Sequence, residues 1–133
     1  EPLDVLAAVA YARDELEVES RRLALVGYSF GAAVTASALA RLPAEVAYAG
    51  IALPLHLKPD GDGWDGLMQP ERRVLLVAGG ADEIAPLARI AELAAERLGT
   101  TRVEVIGRAS HFFDAGDQLS AVGTAVAEFL MQL

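Results

Sequence analysis

The chain contains no cysteine, which excludes disulfides, thiolate metal sites and a cysteine nucleophile. That composition fits a reducing compartment, and a cytoplasmic location is expected. Histidine is almost as scarce, so chemistry that needs an imidazole has only His56 and His111 to draw on. Positive charge is in deficit. Eleven Lys and Arg against 19 Asp and Glu leave a net charge of −8, which repels nucleic acid and anionic lipid at long range. Neither nucleic acid nor membrane is expected as a partner. The longest uncharged run, Leu23 to Ala40, touches the lower length limit of a membrane span. It contains Gly27, Tyr28, Ser29, Gly31, Thr35 and Ser37, however, and divides into a strand pattern followed by a helix pattern. What the sequence has in quantity is apolar material, 53% of 133 residues, enough for a real core and expected to form one domain over residues 1–133.

The chemistry centres on that uncharged run. Leu23 to Val26 reads as a strand covered on both faces, and the alanine-rich stretch Gly31 to Leu42 as a helix. Between them stands Gly27-Tyr28-Ser29-Phe30-Gly31, a Gly-x-Ser-x-Gly elbow. In such a turn the serine takes a strained backbone conformation, while the flanking glycines let strand and helix approach without side-chain collisions. The Phe30 N–H then points to where an oxyanion would form, with the positive end of the helix behind it. The bland alternative is a glycine-rich packing turn.

Before the elbow, Pro2, Asp4 and the spacing of Leu3, Leu6, Val9, Ala10, Arg13 and Leu16 predict an amphipathic helix ending near Glu17. After it, Pro43 stops the helix and Val46 to Leu53 predicts a second strand, so strand, helix and strand form a parallel right-handed crossover. Pro54 to Arg73 is broken by proline and glycine and reads as a loop or short lid. Within it, Asp60, Asp62 and Asp65 lack the third oxygen ligand and distal glutamate of an EF-hand, and no metal is expected. His56 is assigned a surface or packing role. Trp64 is assigned to burying the loop rather than capping a cleft.

Val74 to Ala78 is the third predicted strand. Gly79-Gly80-Ala81-Asp82 places a carboxylate at its C-terminal end, where sites gather in open parallel sheets. Asp82 precedes a helix opened by Pro86 and running to Leu98, so its bland role is helix capping, and the adjacent Glu83 is kept as a substitute. Arg102 to Ile106 alternates as a strand near the sheet edge, and Leu119 to Leu133 closes the chain as an amphipathic helix. His111, on the loop after the last strand, can reach back to a serine with a carboxylate on its other nitrogen.

Taken together, LVGYSFGAA, GGADEIAP and ASHFF resemble the nucleophile elbow, acid loop and histidine loop of the α/β-hydrolase superfamily, nearest to its small bacterial serine esterases. The resemblance spans nearly the whole chain. It implies an α/β three-layer sandwich around a mostly parallel sheet of about four strands. It also implies Ser29 as nucleophile, His111 as general base, Asp82 as orienting acid and Phe30 N–H as an oxyanion donor, acting without cofactor on a small acyl ester or thioester. In thioesterase-like members the acid follows the previous strand, which keeps Asp60, Asp62 and Asp65 as alternatives. The competing expectation is a non-catalytic or weakly active module that retains the elbow as packing.

Such hydrolases have about four strands before the elbow, and the loop after the third supplies a second oxyanion N–H. This sequence opens with the helix that precedes the elbow strand, so it is expected to be a fragment, a processed product or half of a two-chain assembly. An apolar elbow strand at a sheet edge invites pairing. A homodimer, or association with an N-terminal portion, is therefore expected. Light scattering at micromolar concentration should report a species larger than the monomer, and a strictly monomeric chain would count against this expectation.

Overall fold

The computed structural model describes residues 2–58 and 63–133. Four strands, β1 (Ala24–Tyr28), β2 (Ala47–Ile51), β3 (Val74–Gly79) and β4 (Thr101–Ile106), form one sheet in the order β1-β2-β3-β4, every pair parallel. The helices are α1 (Pro2–Asp14), α2 (Phe30–Ala38), α3 (Leu87–Glu96) and α4 (Gln118–Leu130). Helices cover both faces, as expected. On one face Ala32, Ala33 and Ala36 of α2 and Ile90 and Leu93 of α3 pack with Tyr48, Leu76 and Ala78; on the other, Val122, Ala125 and Phe129 of α4 pack with Ala49, Leu75 and Val77. No helix among the described residues is long and apolar enough to cross a membrane.

The central strands bear out the parallel-sheet pattern. Every residue of β3 is buried, as a strand with a helix over each face must be. The expectation for β1 needs correction: Val26 and Tyr28 are 42% and 44% exposed. Among the described residues β1 has a neighbour on one side only, and α4 packs mainly over β3 and β4, with Ala24 at the start of β1 on the margin of that cluster. At the opposite edge, Val103 and Val105 of β4 are likewise exposed. α1 ends at Asp14 rather than Glu17. The chain turns there through Glu17 at φ 53°, with Val18 N–H returning to the Ala12 carbonyl at 3.0 Å. Its inward face is also rotated from the predicted one. Val9 is buried with Val5, Leu6 and Ala12 half-buried around it, while Leu3, Ala10, Arg13 and Leu16 are exposed.

The segment from residue 63 to β3 is held by two arginines that, among the described residues, carry no buried carboxylate partner. Arg72, fully buried, donates to the carbonyls of Leu39, Leu42, Pro43, Val46 and Gly66. Burial, and then the charge of Arg97, push its pKa down to about 10, so it stays protonated at neutral pH. Arg97 donates to the carbonyls of Leu67 and Arg72 and to Thr101 Oγ1. Asp60 and Asp62 lie outside the described residues, and Asp65 is exposed.

Of the two motif glycines, only Gly27 is demanded by packing. A Cβ there would meet Gly31 O at 2.5 Å and Ala32 Cα at 2.6 Å, whereas one at Gly31 would meet nothing within 4 Å. Gly27→Ala should therefore cost about 1–3 kcal/mol of stability through overpacking against backbone. Gly31→Ala, inside α2, should gain up to about 1 kcal/mol from helix propensity. Urea unfolding of the two variants checks this contrast, which equal effects would contradict.

Candidate active site

Ser29 is the hinge between β1 and α2. Its φ of 51° and ψ of −121° lie where a non-glycine side chain is strained, and the strain is held from both sides. Its N–H donates to Ile51 O at 2.9 Å, joining the turn to the end of β2, and its C=O accepts from Ala32 and Ala33 N–H at 2.9 and 3.2 Å, starting α2. The N–H groups of Phe30 and Gly31, at the first helical positions, have no acceptor within the helix. Strain recurs at this end of the sheet. Of the five non-glycine residues with positive φ among the described residues, Ser29, Ala52, Arg108 and Phe113 all follow strands, and only Glu17 does not.

The acid and histidine loops converge on the serine. Ser29 Oγ lies 2.7 Å from His111 Nε2, and His111 Nδ1 lies 2.8 Å from Asp82 Oδ2. The Asp82 carboxyl is fully buried and the imidazole nearly so, at 0% and 6% side-chain exposure, while Ser29 is half-buried and reachable. A carboxylate only accepts, so Nδ1 carries the proton; the lone pair of Nε2 is then left to accept from the Ser29 hydroxyl. This geometry can draw a proton from the serine and hold the resulting imidazolium.

Asp82 also performs the bland role foreseen for it, through its other oxygen. Oδ1 accepts the N–H groups of Ile84 and Ala85, each at 2.8 Å, and so shapes the loop into α3. Glu83 is exposed. Among the described carboxylates weighed for the acid position, Asp82 is the one bonded to His111. His56 is exposed. Trp64 is buried in the core, and one side of it faces a cavity.

Two supporting features escaped the sequence reading. A Cβ on Gly79 would meet Ala109 O at 2.5 Å, so this glycine lets the acid loop pass flush against the histidine loop. The two are tied there by Ala81 N–H to Ala109 O and Gly80 N–H to Ile106 O, each at 2.9 Å. The second is Tyr28, whose hydroxyl donates to His111 O at 2.8 Å while its ring lies 5.7 Å from the imidazole, centroid to centroid. Partial desolvation and then the charges of Asp82 and Asp114 raise the Tyr28 pKa, which keeps the hydroxyl a donor. The Gly-Gly step before Asp82 was a signal for the first; the second is a contact across 83 residues with no local signature.

Solved structures share this architecture. The chain is similar to an α/β serine hydrolase homologue from Coxiella burnetii, with 24% identity and a TM-score of 0.73 over 94% of this chain and 56% of that one. It is similar to a dienelactone hydrolase from Anabaena variabilis, with 23% identity and a TM-score of 0.78 over 96% of this chain and 57% of that one. An esterase domain from a Rhodothermus marinus protein matches with 20% identity and a TM-score of 0.78 over 97% of this chain and 67% of that one. The chain thus spans 56% to 67% of the length of these proteins. No family model and no curated protein matches it. The fold is accordingly the α/β-hydrolase fold, of which this chain carries four strands and the elbow.

Removing the Tyr28 hydroxyl tests how the histidine loop is held. Tyr28→Phe should shift global stability by no more than about 1 kcal/mol, since the bond is half-exposed. Amide exchange at Phe112 and Phe113 should nonetheless accelerate severalfold. Unchanged exchange there would mean that the loop supports itself.

Proposed function

We propose that the chain acts as a serine hydrolase on a carboxylic ester or thioester, with Ser29 as nucleophile, His111 as general base and acid, and Asp82 as the group that orients and stabilises the imidazolium. The observation that carries the proposal is the hydrogen-bonded line from Ser29 Oγ through His111 to Asp82, at 2.7 and 2.8 Å, built on a strained serine. The named hydrolases and the esterase that share the fold support the same direction.

In the proposed reaction His111 Nε2 takes the Ser29 proton as Oγ attacks the acyl carbon. The carbonyl oxygen becomes an oxyanion, which Phe30 N–H and the positive end of α2 stabilise. Collapse of the tetrahedral intermediate expels the alcohol or thiol, protonated by His111, and leaves an acyl-serine. Water, deprotonated by the same imidazole, then attacks the acyl carbon, and the acid departs as Ser29 regains its proton. No cofactor enters these steps. The open edge of β1 is the surface we assign to association with a second strand-bearing chain.

A weakly active module is the competing reading, because Phe30 N–H is the one oxyanion donor assigned among the described residues and a single donor stabilises an oxyanion less than two. Loss of one such donor is worth about 3 kcal/mol, or roughly a hundredfold in rate. A fluorophosphonate probe read by intact mass separates the two without choosing a substrate. One adduct is expected, absent in Ser29→Ala and slowed by about 10²–10⁴-fold in Asp82→Asn, where the wrong imidazole tautomer is favoured. Folded protein that takes no adduct would overturn the hydrolase reading, and an unslowed Asp82→Asn would reject Asp82 as the acid.

A further inference from the structure

A cavity of about 500 Å³ lies between the segment leaving β2, the turn at Trp64, the acid loop and α3. That volume falls within the range of about 300–1,000 Å³ typical of small-molecule sites. Leu53, Trp64, Ile84 and Leu93 give it apolar walls. Two of those residues adjoin groups that hold the site. Leu53 stands two positions beyond Ile51, whose carbonyl holds Ser29 N–H at 2.9 Å. Ile84 lends its N–H to the same Asp82 carboxylate that holds His111.

The rim carries charge of mostly one sign. Glu83, Glu92 and Glu96 line it together with Arg89 and His56, and Glu92 approaches Arg89 at 3.6 Å in an exposed pair. With His56 neutral, three carboxylates against one guanidinium leave the described rim at a net −2. Apolar walls favour a group that sheds water on entry, and an acidic rim raises the cost of bringing another negative charge to it.

We propose that this cavity receives the neutral apolar arm of the ester, and that its acidic rim discriminates against substrates whose far end is anionic. The identity of the ligand as an ester rests on the serine-hydrolase reading above. The cavity's preference for a neutral over an anionic apolar group does not.

Trp64 is the only tryptophan, so its fluorescence reports the cavity directly. The whole chain is titrated with 2-octanone and with 7-oxooctanoate, which share a methyl ketone and differ in charge at the far end. The ketone should shift Trp64 emission and bind at least tenfold more tightly than the keto acid. In Glu92→Lys/Glu96→Lys, two exposed positions on α3, the rim becomes net +2, and the gap should close by fivefold or more with ketone binding unchanged. No response to 2-octanone, equal affinities in the wild-type chain, or a gap that survives the charge reversal would each overturn the proposal.

Turnover provides a separate arm. Lengthening the acyl side of 4-nitrophenyl esters from acetate to octanoate, or the alcohol side of alkyl acetates from methyl to octyl, should raise kcat/KM along one of the two series, naming the arm that occupies the cavity. Turnover with two flat series and a silent Trp64 would remove the cavity proposal and leave the hydrolase reading intact. Ketone binding with the expected charge preference, but no fluorophosphonate adduct, would do the reverse.

Discussion

The backbone conformation of Ser29 is the constraint on which the site depends. A positive φ at a residue with a Cβ costs on the order of 1–3 kcal/mol, and it persists only where the surroundings overdetermine it. Here they do so through three separate contacts. Gly27 brings β1 close enough to α2 that a Cβ would strike backbone; Ser29 N–H is taken by Ile51 of the neighbouring strand; and Ser29 C=O accepts the N–H groups that begin α2. The small, fully packed Ala32, Ala33 and Ala36 then hold the helix against the sheet. Relaxing the serine would require moving β1 or α2, and both are tied into the sheet core.

The same logic extends to the loops that reach the serine. An imidazole and a carboxylate taken out of water need every polar atom satisfied, and these two satisfy each other while Asp82 Oδ1 is occupied by two backbone N–H groups. The acid loop and histidine loop are joined by backbone hydrogen bonds before their side chains meet. Tyr28, part of the elbow itself, then fixes the carbonyl of His111. Each of the three segments therefore constrains the next.

The three chemical segments were legible because each carries its signal within a few residues: glycine spacing around Ser29, Gly-Gly before Asp82, and a histidine at the end of an alternating strand. Strand boundaries fell within two residues at β3 and β4 for the same reason. The predictions for β1 and α1 were less accurate because burial is a property of neighbours. The apolar run at β1 reads as a strand covered on both faces, yet edge position and the reach of α4 leave Val26 and Tyr28 in solvent. In α1 the inward face is set by contact with α2, which local periodicity does not encode. Second contacts such as Tyr28 with His111, or Arg72 with carbonyls 26 to 33 residues away, have no local sequence pattern at all.

Arg72 matters because, with Arg97, it holds residues 66–72 of the stretch that sequence pattern left undefined. The carbonyls of Leu39, Leu42 and Pro43 lie at and just beyond the end of α2. Leu39 and Pro43 already accept the N–H groups of Leu42 and Val46 at 3.1 and 3.0 Å, and the guanidinium adds a donor to each of the three where the helix dipole favours a cation. With its remaining donors Arg72 holds Gly66 and Val46, while Arg97 holds Leu67 and the Arg72 carbonyl. The turn that presents Trp64 is thus pinned to the end of α2 by hydrogen bonds rather than by regular structure. The α2 helix whose first residue faces the proposed oxyanion is, at its other end, tied to the cavity wall that Trp64 forms. Elbow and cavity wall are in this way joined through the two ends of α2.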